Sequence, residues 1–139
     1  LLNHPKGATG YRVNFKGKSV CYVTDTEHKK DALDENILKL IENADLFIYD
    51  STYTEKEYPN FEGWGHSTWQ EGVRLSKEAG VKNYAIFHHD PSHDDDFMDN
   101  VELDAKKTFA NAFVAKEGME IEFNDTGSGI QFRKFDDKP

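Results

Sequence analysis

The sequence predicts an α/β layered domain, and three observations carry that prediction. Short apolar runs of strand length, such as 19-SVCYV-23 and 45-DLFIYD-50, alternate with segments whose apolar residues recur every three or four positions. Gly, Asn and Asp gather between these segments, where chain reversals need them. The length of 139 residues, with 37% hydrophobic residues and ten phenylalanines, suits one domain with a substantial core. Alternating strands and helices bury their apolar faces by stacking as layers around a sheet. No internal repeat and no linker divides the chain.

Taken in order, 11-YRVNF-15 and 19-SVCYVT-24 read as a strand pair around the tight turn 16-KGK-18. Asp34 is placed to cap a helix to about Ala44, with Ile37, Leu38 and Ile41 facing inward. The run 45-DLFIYD-50 is a buried strand, followed by a polar and aromatic loop to Gly65. Ser67 and Gln70 have capping-box spacing, so a helix is expected from Ser67, with Trp69, Gly72, Val73, Ser76 and Ala79 along it and Gly80 as its stop. Another strand is expected in 82-KNYAIFHH-89. From about Asp94 a long helix carries Phe97, Val101, Thr108, Phe109, Ala112 and Phe113 and ends near Gly118. Its acidic start, 94-DDD-96, suits the positive end of a helix. A final pair, 119-MEIEF-123 and 130-IQFRK-134, precedes a polar tail over 135–139.

Charge and cysteine content narrow the function classes. The formal net charge is −9 and the basic residues are scattered in pairs such as Lys29-Lys30 and Lys106-Lys107, which disfavours nucleic-acid binding by this chain alone. The one cysteine, Cys21, lies in an apolar run and reads as a buried thiol. With no disulfide, no signal peptide and no apolar run of membrane-spanning length, the expected location is cytoplasmic.

Six histidines, His4, His28, His66, His88, His89 and His93, fall mostly at strand ends or in the loops after them. Layered α/β domains gather their functional groups at one end of the sheet. Strand alternation puts Ala85, Phe87 and His89 on one face and Tyr84, Ile86 and His88 on the other. Asp25 and Asp50 also terminate apolar strands, and imidazole with carboxylate suits zinc, manganese or iron. Aspartates after strands also commonly cap turns, and no H-E-x-x-H or C-x-x-C motif decides between the readings. His28 reads as a surface residue, His88 as an interior strand-end residue and His93 as a loop residue. Trp64 and Trp69 read as core packing or loop anchors rather than a substrate mouth, and Phe97, Phe109 and Phe113 as core.

The blocks 4-HPKGATGYR-12, 22-YVTDTEH-28, 49-YDSTY-53, 65-GHST-68 and 86-IFHHDPSHDD-95 together resemble the C-terminal half of a metallo-β-lactamase-fold hydrolase, closest to the ribonuclease Z and phosphoribosyl cyclic phosphodiesterase group. The resemblance implies an α/β fold of the αββα sandwich type, with residues 1–134 as the C-terminal part of the domain. It implies two divalent metal ions, zinc by preference with manganese or iron as alternatives, and phosphodiester hydrolysis by a metal-bound hydroxide. Matched residue by residue, His4, Asp25 and His89 become metal ligands, with Asp25 as the bridge. His66 becomes a group that acts on the scissile phosphate or leaving oxygen, and Asp50, where a glutamate is more familiar, the residue that orients it. The H-x-H-x-D-H segment that would complete the metal centre is absent from this chain. The parent protein is therefore expected to be the enzyme, with this chain alone inactive. The expected partner is a small cyclic or nucleotide-like phosphodiester rather than nucleic acid or membrane, and a homodimer is left open. Two readings compete with it: a non-catalytic interaction domain with an incomplete metal centre, and a ribonuclease Z-like tRNA 3′ endonuclease.

Overall fold

A computed structural model describes residues 2–124 and 129–134; the expected tail over 135–139 lies outside the described residues. The chain runs β1 (Tyr11–Phe15), β2 (Lys18–Val23), α1 (Glu35–Ile41), β3 (Leu46–Asp50), a 3₁₀ turn (Tyr58–Asn60), α2 (Trp69–Glu78), β4 (Tyr84–Phe87), α3 (Asp95–Thr108), β5 (Ala112–Val114), β6 (Met119–Phe123) and β7 (Ile130–Lys134). Strands β1 to β5 form one sheet in chain order, and β6 and β7 form a separate antiparallel hairpin. β1 pairs antiparallel with β2, while β2–β3, β3–β4 and β4–β5 are parallel. The carboxyl ends of β2, β3 and β4 therefore share one edge, and Asp25, Asp50 and His88 lie at or just beyond them.

Alternation along the strands sorts the core into two faces. Phe47 and Tyr49 of β3 and Tyr84 and Ile86 of β4 meet Ile37 and Ile41 of α1, Val73 and Leu75 of α2, and Met98, Val101 and Ala105 of α3. The opposite face presents Leu46, Ala85 and Phe113, packed by Val20, Ile48 and the β6–β7 residues Met119, Ile121, Phe123 and Ile130. All three helices thus cover one face, and the hairpin covers part of the other. Tyr11, Val13, Phe15 and Tyr22, in register with Val20 on β2, stay exposed on that second face.

The β1–β2 turn works because Lys16 and Gly17 both take positive φ, 47° and 75°, the two-residue geometry that matches strand twist. Asp34 caps α1 as expected, accepting from Asn36 N and Ile37 N. The cap of α2 is Thr68 rather than Ser67: Thr68 Oγ1 accepts from Glu71 N, and Ser67 is turned inward to Tyr49 and His28. The long helix beginning after Asp94 stops at Thr108, and Ala112–Val114 forms β5 instead of continuing it. Three apolar residues in a row fit a fully buried strand as well as a helix turn, and pairing with β4 decides the matter. Phe113 is in the core on the hairpin side and Phe109 packs against the core on the helix side, as expected, but Phe97 is 37% exposed, stacked on His93 at 4.0 Å.

Gly72 shows how tightly α2 sits on the sheet. A Cβ there would lie 2.1 Å from the hydroxyl oxygen of Tyr84, which is fully buried and held by Ser51 Oγ at 2.8 Å. Gly72→Ala forces overpacking against a ring that has nowhere to turn, and is expected to destabilise by about 1–3 kcal/mol despite alanine's better helix propensity. Thermal melting checks this; a Gly72→Ala protein at least as stable as the wild type would show that the helix shifts freely.

Candidate functional site

Asp50 is the hub of the strand-end edge. Its side chain is fully buried, and its carboxylate accepts from Asp25 N at 2.9 Å, Ser67 N at 3.2 Å and Thr52 Oγ1 at 2.9 Å. Oδ2 also lies 2.9 Å from Nδ1 of His66. A buried carboxylate is costly unless donors surround it, and here backbone N–H groups from two loops and two side chains do so. The same contacts fix the loops after β2 and β3 and the entry to α2 relative to one another.

His66 takes its orientation from Asp50. With Nδ1–H donated to the carboxylate, Nε2 is left to face the cluster. The Asp50 hydrogen bond raises the His66 pKa above its ordinary value of 6.5, outweighing burial, which acts in the opposite direction; the negative charge of Asp50 adds to the rise.

His88 lies against His66, ring centroids 5.0 Å apart and nearly parallel at 28°. Its Nε2 is 3.9 Å from Asp25 Oδ1, and its Nδ1 is 3.1 Å from Thr52 Oγ1. The Thr52 hydroxyl has one proton, which Asp50 Oδ1 and the His88 carbonyl at 2.8 Å compete for, so its lone pair is free to accept Nδ1–H of His88. That tautomer turns the basic Nε2 toward Asp25. Both Asp25 (φ 55°) and His88 (φ 65°) are in the left-handed region immediately beyond strands. Such a conformation costs about 1–3 kcal/mol at a non-glycine residue and concentrates at functional positions.

Among the described residues, Asp25, His66 and His88 each offer a ligand atom, and these atoms lie within 4.8 Å of one another. One carboxylate and two imidazoles at that spread fit a single divalent ion of the zinc, manganese or iron type. His89 is not among them. The left-handed turn at His88 breaks the strand alternation, so His88 enters the cluster while His89 turns toward β5, its Nε2 3.2 Å from the carbonyl oxygen of Ala115. Burial lowers the pKa of His89, and its Nδ1 is buried without a partner. His88, the first of the two adjacent histidines, joins the three-residue group, and His89, the one expected as a ligand, lies outside it.

His4 is half-buried at the rim, its ring 6.3 Å from that of His66 and outside the three-residue group. Gly65 lets it approach: a Cβ there would lie 2.5 Å from His4 Cδ2, and Gly65 has φ 89°. His28 is not a surface residue; its Nδ1 meets Ser67 Oγ at 3.0 Å and its ring packs on Tyr58 at 4.3 Å. Burial lowers its pKa, which suits a neutral ring accepting the serine proton while Ser67 accepts from Tyr49. His93 pairs with Glu57 at 2.8 Å, away from the cluster.

Sequence reasoning missed Glu27. Its carboxylate accepts from Tyr58 Oη at 2.6 Å, Gly63 N at 2.7 Å and Gly65 N at 3.2 Å, while its backbone N–H donates to Asn3 at 2.7 Å. One residue thus ties the His4 segment and the 58–65 loop to the strand end that carries Asp25. These bonds hold its pKa below the ordinary carboxylate value although burial pushes it up. Glu27 stands two residues after Asp25 in Thr-Asp-Thr-Glu-His, but the sequence carries no sign that a loop 36 residues on closes over it.

A family model described as "Beta-lactamase superfamily domain" matches residues 1–89. Ribonuclease Z of Agathobacter rectalis is 34% identical over 110 residues, covering 77% of this chain and 33% of the relative. Ribonuclease Z of Methanosarcina acetivorans is 33% identical over 106 residues, covering 76% of this chain and 33% of the relative. The chain thus spans about a third of the length of these curated relatives. Among solved structures, the metallo-β-lactamase-fold protein YhfI from Bacillus subtilis aligns with a TM-score of 0.70 at 22% identity, over 95% of this chain and 46% of that one. The short form of human tRNase Z aligns with a TM-score of 0.50 at 25% identity, over 59% of this chain and 30% of that one.

Proposed function

Because the chain belongs to the β-lactamase superfamily and has the metallo-β-lactamase fold, we propose that it carries the carboxyl-terminal side of the active site of a metal-dependent phosphodiesterase. The observation that supports this reading most directly is the meeting of Asp25, His66 and His88 at the carboxyl ends of adjacent parallel strands, backed by the buried carboxylate of Asp50. Asp25 and His88 would hold a divalent ion, which when bound would polarise a phosphoryl oxygen and lower the pKa of a water. His66, whose pKa the Asp50 hydrogen bond raises, would donate from Nε2 to the departing oxygen or to the phosphate charge. Asp50 accepts Nδ1–H of His66 and so turns its Nε2 to substrate, and Thr52 Oγ1 accepts Nδ1–H of His88 and so leaves its Nε2 for the ion.

The substrate is read as a small cyclic or nucleotide-like phosphodiester, in line with a net charge of −9 and no basic track. One observation favours a second reading, a tRNA-directed endonuclease: the relatives cited are named Ribonuclease Z. The exposed stripe of Tyr11, Val13, Phe15 and Tyr22 supports the proposal that residues 1–134 are one part of a sandwich whose other sheet packs on this face. Two ions, and the location in the cytoplasm, belong to the same proposal. Among the described residues, no helix is long and apolar enough to cross a membrane.

The test is metal content and diester turnover of the intact protein. Asp25→Ala and His88→Ala are expected to lower bound zinc or manganese by elemental analysis, and His89→Ala to leave it unchanged. Full metal in both of the first two variants, or no hydrolysis of bis-nitrophenyl phosphate by the wild type, defeats the reading.

A further inference from the structure

The loop from Phe61 to Gly65 holds a tryptophan out of the protein. Trp64 is 64% exposed, two residues from His66, so their Cα atoms are at most about 7 Å apart. An exposed indole on a glycine-flanked loop would normally fold back onto apolar surface. Here the backbone on both sides of it is pinned. Glu27 binds the N–H groups of Gly63 and Gly65, the residues on either side, and Trp64 N donates to the Phe61 carbonyl at 3.1 Å. Gly63 and Gly65, at φ 88° and 89°, take backbone conformations that other residues rarely adopt.

Behind the indole lies a row of rings that leads back to the cluster. The edge-on contact of Phe61 with Trp64 is at 5.5 Å and 88°; Phe61 stacks on Tyr53 at 4.4 Å and 5°; Tyr53 meets His66 at 6.3 Å. The row fixes where the indole stands relative to the reacting group. It is an exposed aromatic face at the end of a row of rings that starts from His66, in a chain whose net charge of −9 offers little for recognising further anionic groups.

We propose that Trp64, held out by the Glu27 clamp, is a stacking platform for a nucleobase attached to the scissile phosphodiester. The proposal rests on the phosphodiesterase reading for its choice of ligand. A nucleobase is the neutral planar group that a phosphodiester substrate carries at that distance, and base–aromatic stacking tolerates any base because every base has a π-face. Trp64 is thus a specificity residue for base-bearing over base-free diesters, and Glu27 is the positioning residue that presents it.

The experiment measures binding of adenosine 5′-monophosphate and of ribose 5-phosphate to the intact protein by calorimetry, in the wild type and in Trp64→Ala, Trp64→Leu and Trp64→Phe. The wild type is expected to prefer the base-bearing ligand. Trp64→Ala and Trp64→Leu should weaken it about ten- to a hundredfold, Trp64→Phe by no more than about threefold, and none of them should change ribose 5-phosphate binding. Leucine separates a π-face from mere apolar bulk, and phenylalanine keeps the test alive should truncation disturb the loop. Equal affinity for the two ligands in the wild type, or equal losses on both, overturns the platform. Bis-nitrophenyl phosphate turnover by the wild type is recorded in parallel. Its absence alongside Trp64-dependent nucleotide binding defeats the phosphodiesterase reading and leaves the platform standing; its presence with nucleotide binding indifferent to Trp64 does the reverse.

Discussion

Asp50→Ala is expected to lower the melting temperature by about 6–20 °C and, in the intact parent protein, to abolish the proposed turnover. The carboxylate is fully buried and receives Asp25 N, Ser67 N, Thr52 Oγ1 and His66 Nδ1 within 3.2 Å. Alanine leaves those donors facing a small apolar cavity. An unsatisfied buried group costs about 1–3 kcal/mol, and the threonine hydroxyl and the imidazole retain some freedom to find other partners. A total of about 3–5 kcal/mol follows, at about 2–4 °C per kcal/mol for a chain of this size. Asp50→Asn keeps the shape but turns an NH₂ toward either Asp25 N and His66 or Ser67 N, so about half the loss is expected to remain. Scanning calorimetry decides: a variant that melts within a few degrees of the wild type would mean that the loops hold without the hub.

Most of the fold was legible because local chemistry and tertiary context agree there. The β1–β2 turn, the Asp34 cap, the acidic start of α3 and the β6–β7 pair lie where turn residues, capping side chains and alternation put them. β5 was illegible because Ala112-Phe113-Val114 is too short to show a period, and only its pairing with β4 gives it strand form. Trp64 was misread for a related reason: aromatic residues usually bury, and the clamp that keeps this one out comes from a side chain 37 residues away. At the site, the contact of Asp50 with His66 was expected from the resemblance of the 49-YDSTY-53 and 65-GHST-68 blocks, whereas which of His88 and His89 joins the cluster depends on a backbone dihedral. A strand period continued through His88 keeps both rings on alternating faces. The left-handed turn at His88 ends the period one residue earlier.

In the intact parent protein, on the proposed phosphodiesterase reading, His66→Ala is expected to leave the fold intact and lower kcat by about 10²–10⁴-fold, the usual contribution of a positioned acid or base. The loss should shrink for nitrophenyl diesters, whose leaving group departs without a proton. The pH dependence carries the same signature. The folded pKa of His66 lies above its ordinary value of 6.5, first through the Asp50 hydrogen bond, so the protonated form persists beyond that value. Activity that needs the proton falls as pH rises through the folded pKa. Any stability that the charged pair contributes is likewise fully present below the unfolded pKa and lost across the same rise. Asp50→Asn removes the charge that raises the pKa, so the alkaline limb should move to lower pH. Its effect on kcat should add little to that of His66→Ala, because residues that act as a unit are not additive. A double-mutant cycle with good and poor leaving groups, run beside metal analysis, separates the roles. An acid predicts metal retained in His66→Ala and a leaving-group-dependent loss. Metal lost together with an equal loss on both substrates makes His66 a ligand instead, the third donor beside Asp25 and His88.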